Sequence, residues 1–270
     1  MLHLDAHPEN LGSFAERNRF MKKVIRAVLT VIFCQAAFIS TASAQTVLAE
    51  PFTYSDGPLV GAAGSPWTTS SGTAGQQNVV GGRLFIDDNE TEDTLALFSA
   101  GVTFGSVTAV FDLQMDPADI VSSAAGNYIA HFIGTTNASF VGRLFMITDP
   151  AGTGTTFRIG VSTGAGTPTA IFSSVFTLGT TYSLSLTYDL TTNLASLSAA
   201  GFGTITATDV VDDNNIRGWG FRQSTTHGDV FFDNLEITAI PEPATYMLFG
   251  MGLLVCAQQF RRRRAASNSK

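Results

Sequence analysis

From Tyr182 to Asp189 the chain reads YSLSLTYD, in which Tyr182, Leu184, Leu186 and Tyr188 alternate with Ser183, Ser185, Thr187 and Asp189. A period of two places all four large side chains on one face of an extended chain, so the segment reads as a strand with one packed and one wet face. Val107, Ala109, Phe111, Leu113 and Met115 repeat the pattern against Thr108, Asp112 and Gln114. Further strand candidates are NVVGGRLFID, NYIAHFIGT, GRLFMITD, TFRIGVS, LASLSA, GWGFRQS and DVFFDNLEIT. They are separated by Gly, Asn, Asp, Thr and Pro clusters such as DPAGTGT and TGAGTPT. No window sustains a helical period over ten residues. About a dozen short strands without a helical partner predict an all-β fold, an antiparallel two-layer jelly-roll sandwich. YDLTTNLAS predicts a hairpin turning over residues 190–193. In VFFDNLEI the apolar phase shifts between Phe232 and Leu235, which predicts a β-bulge at Asp233 and Asn234.

The two ends of the chain have a different character. From Met21 a basic start (Lys22, Lys23, Arg26) leads into an apolar run over residues 27–39 and then Ala42-Ser43-Ala44 before Gln45. That order predicts a secretory signal peptide over residues 21–44 with an A-x-A cleavage site. Residues 1–20 have no apolar periodicity and read as an over-extended start or a disordered leader. The sandwich is expected over residues 45–239. That segment holds 18 Asp plus Glu against 5 Arg and no Lys, a net of thirteen negative charges. Such a surface repels nucleic acid and anionic membranes. Cys34 and Cys256 both lie in the terminal apolar segments, so the sandwich can form no disulfide. A domain of this length can bury enough surface without one.

After the last strand comes Pro241-Glu242-Pro243, which can continue neither a ladder nor a helix and predicts an extended, exposed stop. Residues 244–257 are uncharged and largely apolar, and 258–260 extend the run to the lower edge of what spans a bilayer. Arg261, Arg262, Arg263 and Arg264 follow at once, a cluster that stays cytoplasmic. With an exported sandwich, this predicts a single transmembrane helix with the domain outside and residues 265–270 as a cytoplasmic tail. Triplet, apolar run and arginine cluster at residues 240–264 together resemble the PEP-CTERM sorting signal of Gram-negative bacteria. The resemblance implies a transient membrane anchor, recognition by an exosortase (a membrane-embedded cysteine protease), removal of the tail, and passage to the cell surface or extracellular matrix. An ordinary single-span anchor is the alternative.

EPFTYSDGPLVG, GRLFMI, YSLSLTYDLTTNLASL and FFDNLEIT, taken in order, resemble the concanavalin-like or laminin G-like family over residues 50–238. Glycoside hydrolases on such a sandwich need two facing carboxylates. Here Glu236 stands alone between Leu235 and Ile237, Asp229 and Asp233 straddle the expected bulge, and the E-x-D-x-x-E signature is missing. His131 reads as a core or sheet-face residue and His227 as a surface loop residue; no G-x-S-x-G elbow accompanies either. The expectation is no catalysis, but a structural or carbohydrate-binding module that meets extracellular polysaccharide and no nucleic acid. A secreted glycan-active hydrolase is the alternative.

Two acidic stretches suit calcium, which takes only oxygen ligands. One holds Asp87, Asp88, Asn89 and Glu90, followed by Glu92 and Asp93; the other holds Asp212, Asp213, Asn214 and Asn215. Concanavalin-like domains often carry such an ion, and the resemblance implies calcium here; solvated turns are the plainer reading. For a sugar-stacking platform the candidates are Trp67, Trp219 and Tyr128. Trp67, after Pro66 in a Gly- and Ser-rich loop, is the one expected to be exposed, whereas a core position suits Trp219 at least as well.

Overall fold

The computed structural model describes residues 43–152, 154–240 and 252. In chain order its strands are β1 (Gln45–Glu50), β2 (Gly57–Pro58), β3 (Thr68–Ser71), β4 (Asn78–Val80), β5 (Arg83–Ile86), β6 (Asp93–Val102), β7 (Ser106–Met115), β8 (Asn127–Ile133) and β9 (Phe140–Thr148). They continue as β10 (Thr156–Ser162), β11 (Ala170–Ile171), β12 (Phe176–Thr177), β13 (Thr181–Asp189), β14 (Leu194–Ala199), β15 (Gly203–Thr206), β16 (Ile216–Arg222) and β17 (Val230–Ile240). The leader, the signal peptide up to residue 42, the PEP triplet, the expected membrane helix and the arginine cluster lie outside the described residues. Among the described residues no helix is long and apolar enough to cross a membrane.

The strands form two antiparallel sheets. One runs β15-β14-β13-β7-β17-β5-β4-β2, with β1 added on β17; the other runs β11-β10-β9-β8-β16-β6-β3, with β12 added on β10. This is the predicted all-β jelly-roll sandwich. Its centre is the alternation seen in the sequence: β13 pairs with β7 so that Leu184 faces Phe111 and Leu186 faces Ala109. The odd-numbered side chains of β7 from Val107 to Met115 are buried. From the nine-stranded sheet Phe111 and Phe232 meet Trp219 and Phe221 of the eight-stranded one, with ring centroids 4.8 to 5.8 Å apart. Each such ring contributes about 1.5–3 kcal/mol through burial, which fastens the two layers together.

Both local predictions are realised. The hairpin turns on Asp189, whose Oδ1 accepts the Thr191 and Thr192 amides at 2.7 and 3.1 Å, and Asn193 closes it at φ 56°. In β17 the register with β7 slips between Asp233 and Glu236, with Asn234 at φ 51°. The slip moves burial from Val230 and Phe232 to Leu235, Ile237 and Ala239. Without the extra residue one half of the strand would turn its apolar face to water.

Much of the acidity holds loops in place. Asp209 accepts the Thr163, Gly164 and Ala165 amides at 2.8–2.9 Å and the Thr169 hydroxyl at 2.6 Å. Burial pushes its carboxyl up, but these four donors outweigh burial and hold it at about 2. Buried Glu92 accepts the Gln76 and Gln77 amides and the Thr69 hydroxyl, drawing β3 and the start of β4 onto β6.

Candidate functional site

β5 and β17 pair with Ile86 opposite Val230, so one step beyond the ladder Asp87 meets Asp229. Carboxylate oxygens of Asp87, Asp88 and Asp229 come within 4.8 Å of one another. The Asp88 amide donates to Asp229 Oδ1 at 3.0 Å, and the Asp229 amide donates to Asp119 Oδ2 at 2.7 Å, bringing a fourth carboxylate beside the group. Burial pushes the Asp229 carboxyl up to about 6; the neighbouring charges of Asp87, Asp119 and Asp88 add to that rise, and the Asp88 amide opposes it. Oxygen-only donors with mutually repelling charges are the set a hard divalent cation relieves.

Of the four residues singled out in the sequence, the structure groups Asp87 and Asp88. Asn89 turns back, its amide on Asp87 Oδ1 at 2.8 Å, and Glu90 accepts from the Gln76 side-chain amide. Asp229 and Asp119 reach this loop from distant segments, Asp229 through the pairing of β5 with β17. In the second stretch Asp213 is taken up by the Thr135 amide and hydroxyl, the Ser139 hydroxyl and the Asn215 amide. That carboxylate anchors the β8–β9 turn to the segment before β16.

Neither tryptophan can serve as an exposed platform. Trp67 is 2% exposed, its ring centroid 4.9 Å from that of Phe221, and its Nε1–H donates to Glu50 Oε2 at 2.9 Å. A buried carboxylate supplies the acceptor that lets this indole go inside, and the polar loop around it gave no sign of that partner. Trp219 is 0% exposed. Its glycine neighbours leave room on the other face of β16, where a Cβ on Gly218 would meet the Ala96 carbonyl at 2.5 Å and one on Gly220 would meet His131 Cε1 at 2.6 Å. Tyr128 remains half-buried, outside the core.

Both histidines among the described residues are buried. His131 is buried with Nδ1 3.3 Å from the Phe132 carbonyl, and burial drags its pKa down to about 3. His227, expected at the surface, is fully buried: its Nε2 accepts the Ser224 amide at 3.1 Å and its Nδ1 lies against the Gly228 carbonyl. The loop folds over it because the ring satisfies two backbone groups at once. Burial lowers its pKa as well. A cleft of about 520 Å³ is lined by residues including Tyr54, Asp56 and Pro58. Its one carboxylate, Asp56, already accepts the Gly81 amide at 2.9 Å.

The fold defines the chain as an all-β protein built on a two-sheet antiparallel jelly-roll sandwich. More particularly, residues 239–264 match the PEP-CTERM protein-sorting motif, which implies export, exosortase processing at the membrane and delivery to the surface. No curated protein shows significant sequence similarity to the chain. Among solved structures, a sialidase is 14% identical with a TM-score of 0.46, over 70% of this chain and 19% of that one. A peanut lectin bound to a nine-residue peptide is 13% identical with a TM-score of 0.44, over 73% of this chain and 98% of that one. Lectin I from Ulex europaeus, in complex with a methyl α-L-fucoside, is 13% identical with a TM-score of 0.44, over 74% of this chain and 98% of that one.

Proposed function

We propose that the sandwich is a non-catalytic module of the cell surface or extracellular matrix that binds carbohydrate, delivered there by its sorting motif. The observation that carries this is continuity. The matched motif begins at Ala239, inside β17, so the closing strand of the sandwich runs directly into the sorting segment. Whatever reaches the surface is therefore the sandwich itself. The engagement of Glu50, Glu92, Asp209 and Asp213 in loop anchoring supports a binding or structural role over hydrolysis, which needs a facing pair of free carboxylates. The test is incubation of the surface-recovered protein with matrix polysaccharides. Retention of glycan without release of reducing sugar supports the reading. Release that a single carboxylate substitution abolishes replaces it with a glycan-active hydrolase.

Calcium belongs to the same proposal. Asp87, Asp88 and Asp229, with Asp119 beside them, would hold the ion, and its charge would bring the β5–β6 and β16–β17 connections together. Calcium is expected to raise Tm, and Asp87→Ala with Asp88→Ala to remove the rise. An unchanged Tm on adding chelator makes the group an acidic turn.

A further inference from the structure

The domain's five arginines are unevenly placed. Arg143 stands on β9, Arg158 on β10, and Arg217 and Arg222 on β16, all in the eight-stranded sheet. Along these strands Leu144, Phe157, Ile159 and Phe221 enter the core beside them, so Arg143, Arg158 and Arg222 point outward. The outer face of the nine-stranded sheet carries the opposite charge in Asp112, Asp233 and Glu236. Two of the four cations are occupied. Arg158 lies 3.6 Å from Asp149, and Arg217 donates to the Gly134 carbonyl at 3.0 Å and to Asn137 Oδ1 at 2.7 Å.

The other two converge on one ring. The Arg143 guanidinium lies 4.8 Å and that of Arg222 4.3 Å from the centroid of Tyr128. Arg143 spends Nε and Nη1 on the Phe140 and Ala165 carbonyls at 3.2 and 3.3 Å, leaving Nη2 over. The Arg222 guanidinium and the Tyr128 hydroxyl make no hydrogen bond, and neither arginine makes an ion pair, with any described residue. Tyr128, Arg143 and Arg222 are half-buried, so their polar tips reach solvent. Two like charges beside one ring repel; each ring contact returns only about 0.5–1 kcal/mol at such a site. Asp93 stands opposite Arg222 in the β6–β16 ladder without forming an ion pair with it, so both guanidinium groups keep donors free for an acceptor from outside.

We propose that Arg143, Tyr128 and Arg222 form a binding subsite for an anionic glycan, one bearing carboxylate or sulfate groups along the polymer. Guanidinium forks suit those planar or multi-oxygen anions in two-pronged contacts. The acidic remainder of the surface repels polyanions and confines them to this face. This inference rests on the reading of the sandwich as a carbohydrate-binding module.

The test compares protein recovered from its native surface in wild-type, Arg222→Gln, Tyr128→Ala and Arg83→Gln forms. Arg83 sits on the other sheet, against Phe231 and Gln114, and controls for the loss of one charge. Binding to polygalacturonate, dextran sulfate and neutral dextran is measured by titration at two salt concentrations. The expected result is salt-sensitive binding to polygalacturonate, dextran sulfate or both, weakened about tenfold or more by Arg222→Gln and Tyr128→Ala and unchanged by Arg83→Gln. Which polyanion is held assigns carboxylate or sulfate. Equal binding by Arg222→Gln and Arg83→Gln, or an Arg222→Gln effect on self-association in place of glycan binding, overturns the subsite. Binding of neutral dextran alone overturns the subsite and leaves carbohydrate binding standing; binding of none of the three overturns both.

Discussion

Gln45 lies opposite Ala239 across the β1–β17 ladder, so the expected start of the exported domain and the start of its sorting motif are neighbours on one sheet. β1 continues along β17 with Leu48 facing Ile237 and Glu50 facing Leu235. It therefore covers the edge of the strand that leads to the PEP triplet. Leu48→Pro puts a ring that fits a ladder poorly opposite Ile237, and the expected cost is about 1–3 kcal/mol. Limited proteolysis should show faster cutting at residues 235–240; an unchanged pattern would mean that β1 does not guard that edge.

Glu50 is the hub of the same corner. Only 2% exposed, it accepts the Phe52 amide at 2.8 Å, the Tyr54 hydroxyl at 2.7 Å and the Trp67 indole at 2.9 Å. Burial, and then the bond to Glu50, hold the Tyr54 phenol well above its ordinary pKa. Glu50→Ala strands three donors and should cost about 3 kcal/mol or more. Denaturant titration measures that loss, and a red shift of tryptophan emission should accompany it as Trp67 becomes hydrated.

His131 sets part of the acid limb of stability. Its folded pKa of about 3 is below the 6.5 of the unfolded chain, so between those values the unfolded state binds the extra proton. Its contribution is whole above pH 6.5 and is lost as pH falls toward 3. Asp229 acts in the opposite sense: raised to about 6 when folded, it favours folding increasingly as pH falls from 6 toward 3.8. His131→Gln isolates the two, and its stability should fall less than wild type between pH 6.5 and 4.5 in chemical denaturation. An unchanged slope would put the acid sensitivity elsewhere.

Asn234 holds the bulge at φ 51° and donates from Nδ2 to Asp112 Oδ2 at 2.9 Å. Asn234→Gly should be tolerated with a small loss, while Asn234→Val, β-branched in the left-handed region, should cost about 1–2 kcal/mol. Thermal melts of the two variants give the comparison directly.

These cases show what could be read ahead of the structure. Strand identity, the Asp189 hairpin and the Asp233–Asn234 bulge lie in local alternation, which a sequence states outright. β6 was harder because its first residue, Asp93, ends an acidic run that reads as loop. β1 was hidden because its short polar run sits against the expected cleavage site. The site residues that escaped are those defined across distance. Asp229 meets Asp87 through strand pairing, Arg143 and Arg222 meet Tyr128 from flanking strands, and Trp67 goes inside because Glu50, 17 residues earlier, awaits its indole. No periodicity within one segment carries that information.

The sorting of this sandwich through its tail is tested most directly by the intact mass of the protein recovered from the surface or medium of its native host. The account predicts a chain beginning at Gln45 and ending beside Pro241, with both terminal segments removed. A mass that still contains Arg261 to Arg264 would contradict it and make the tail a retained anchor.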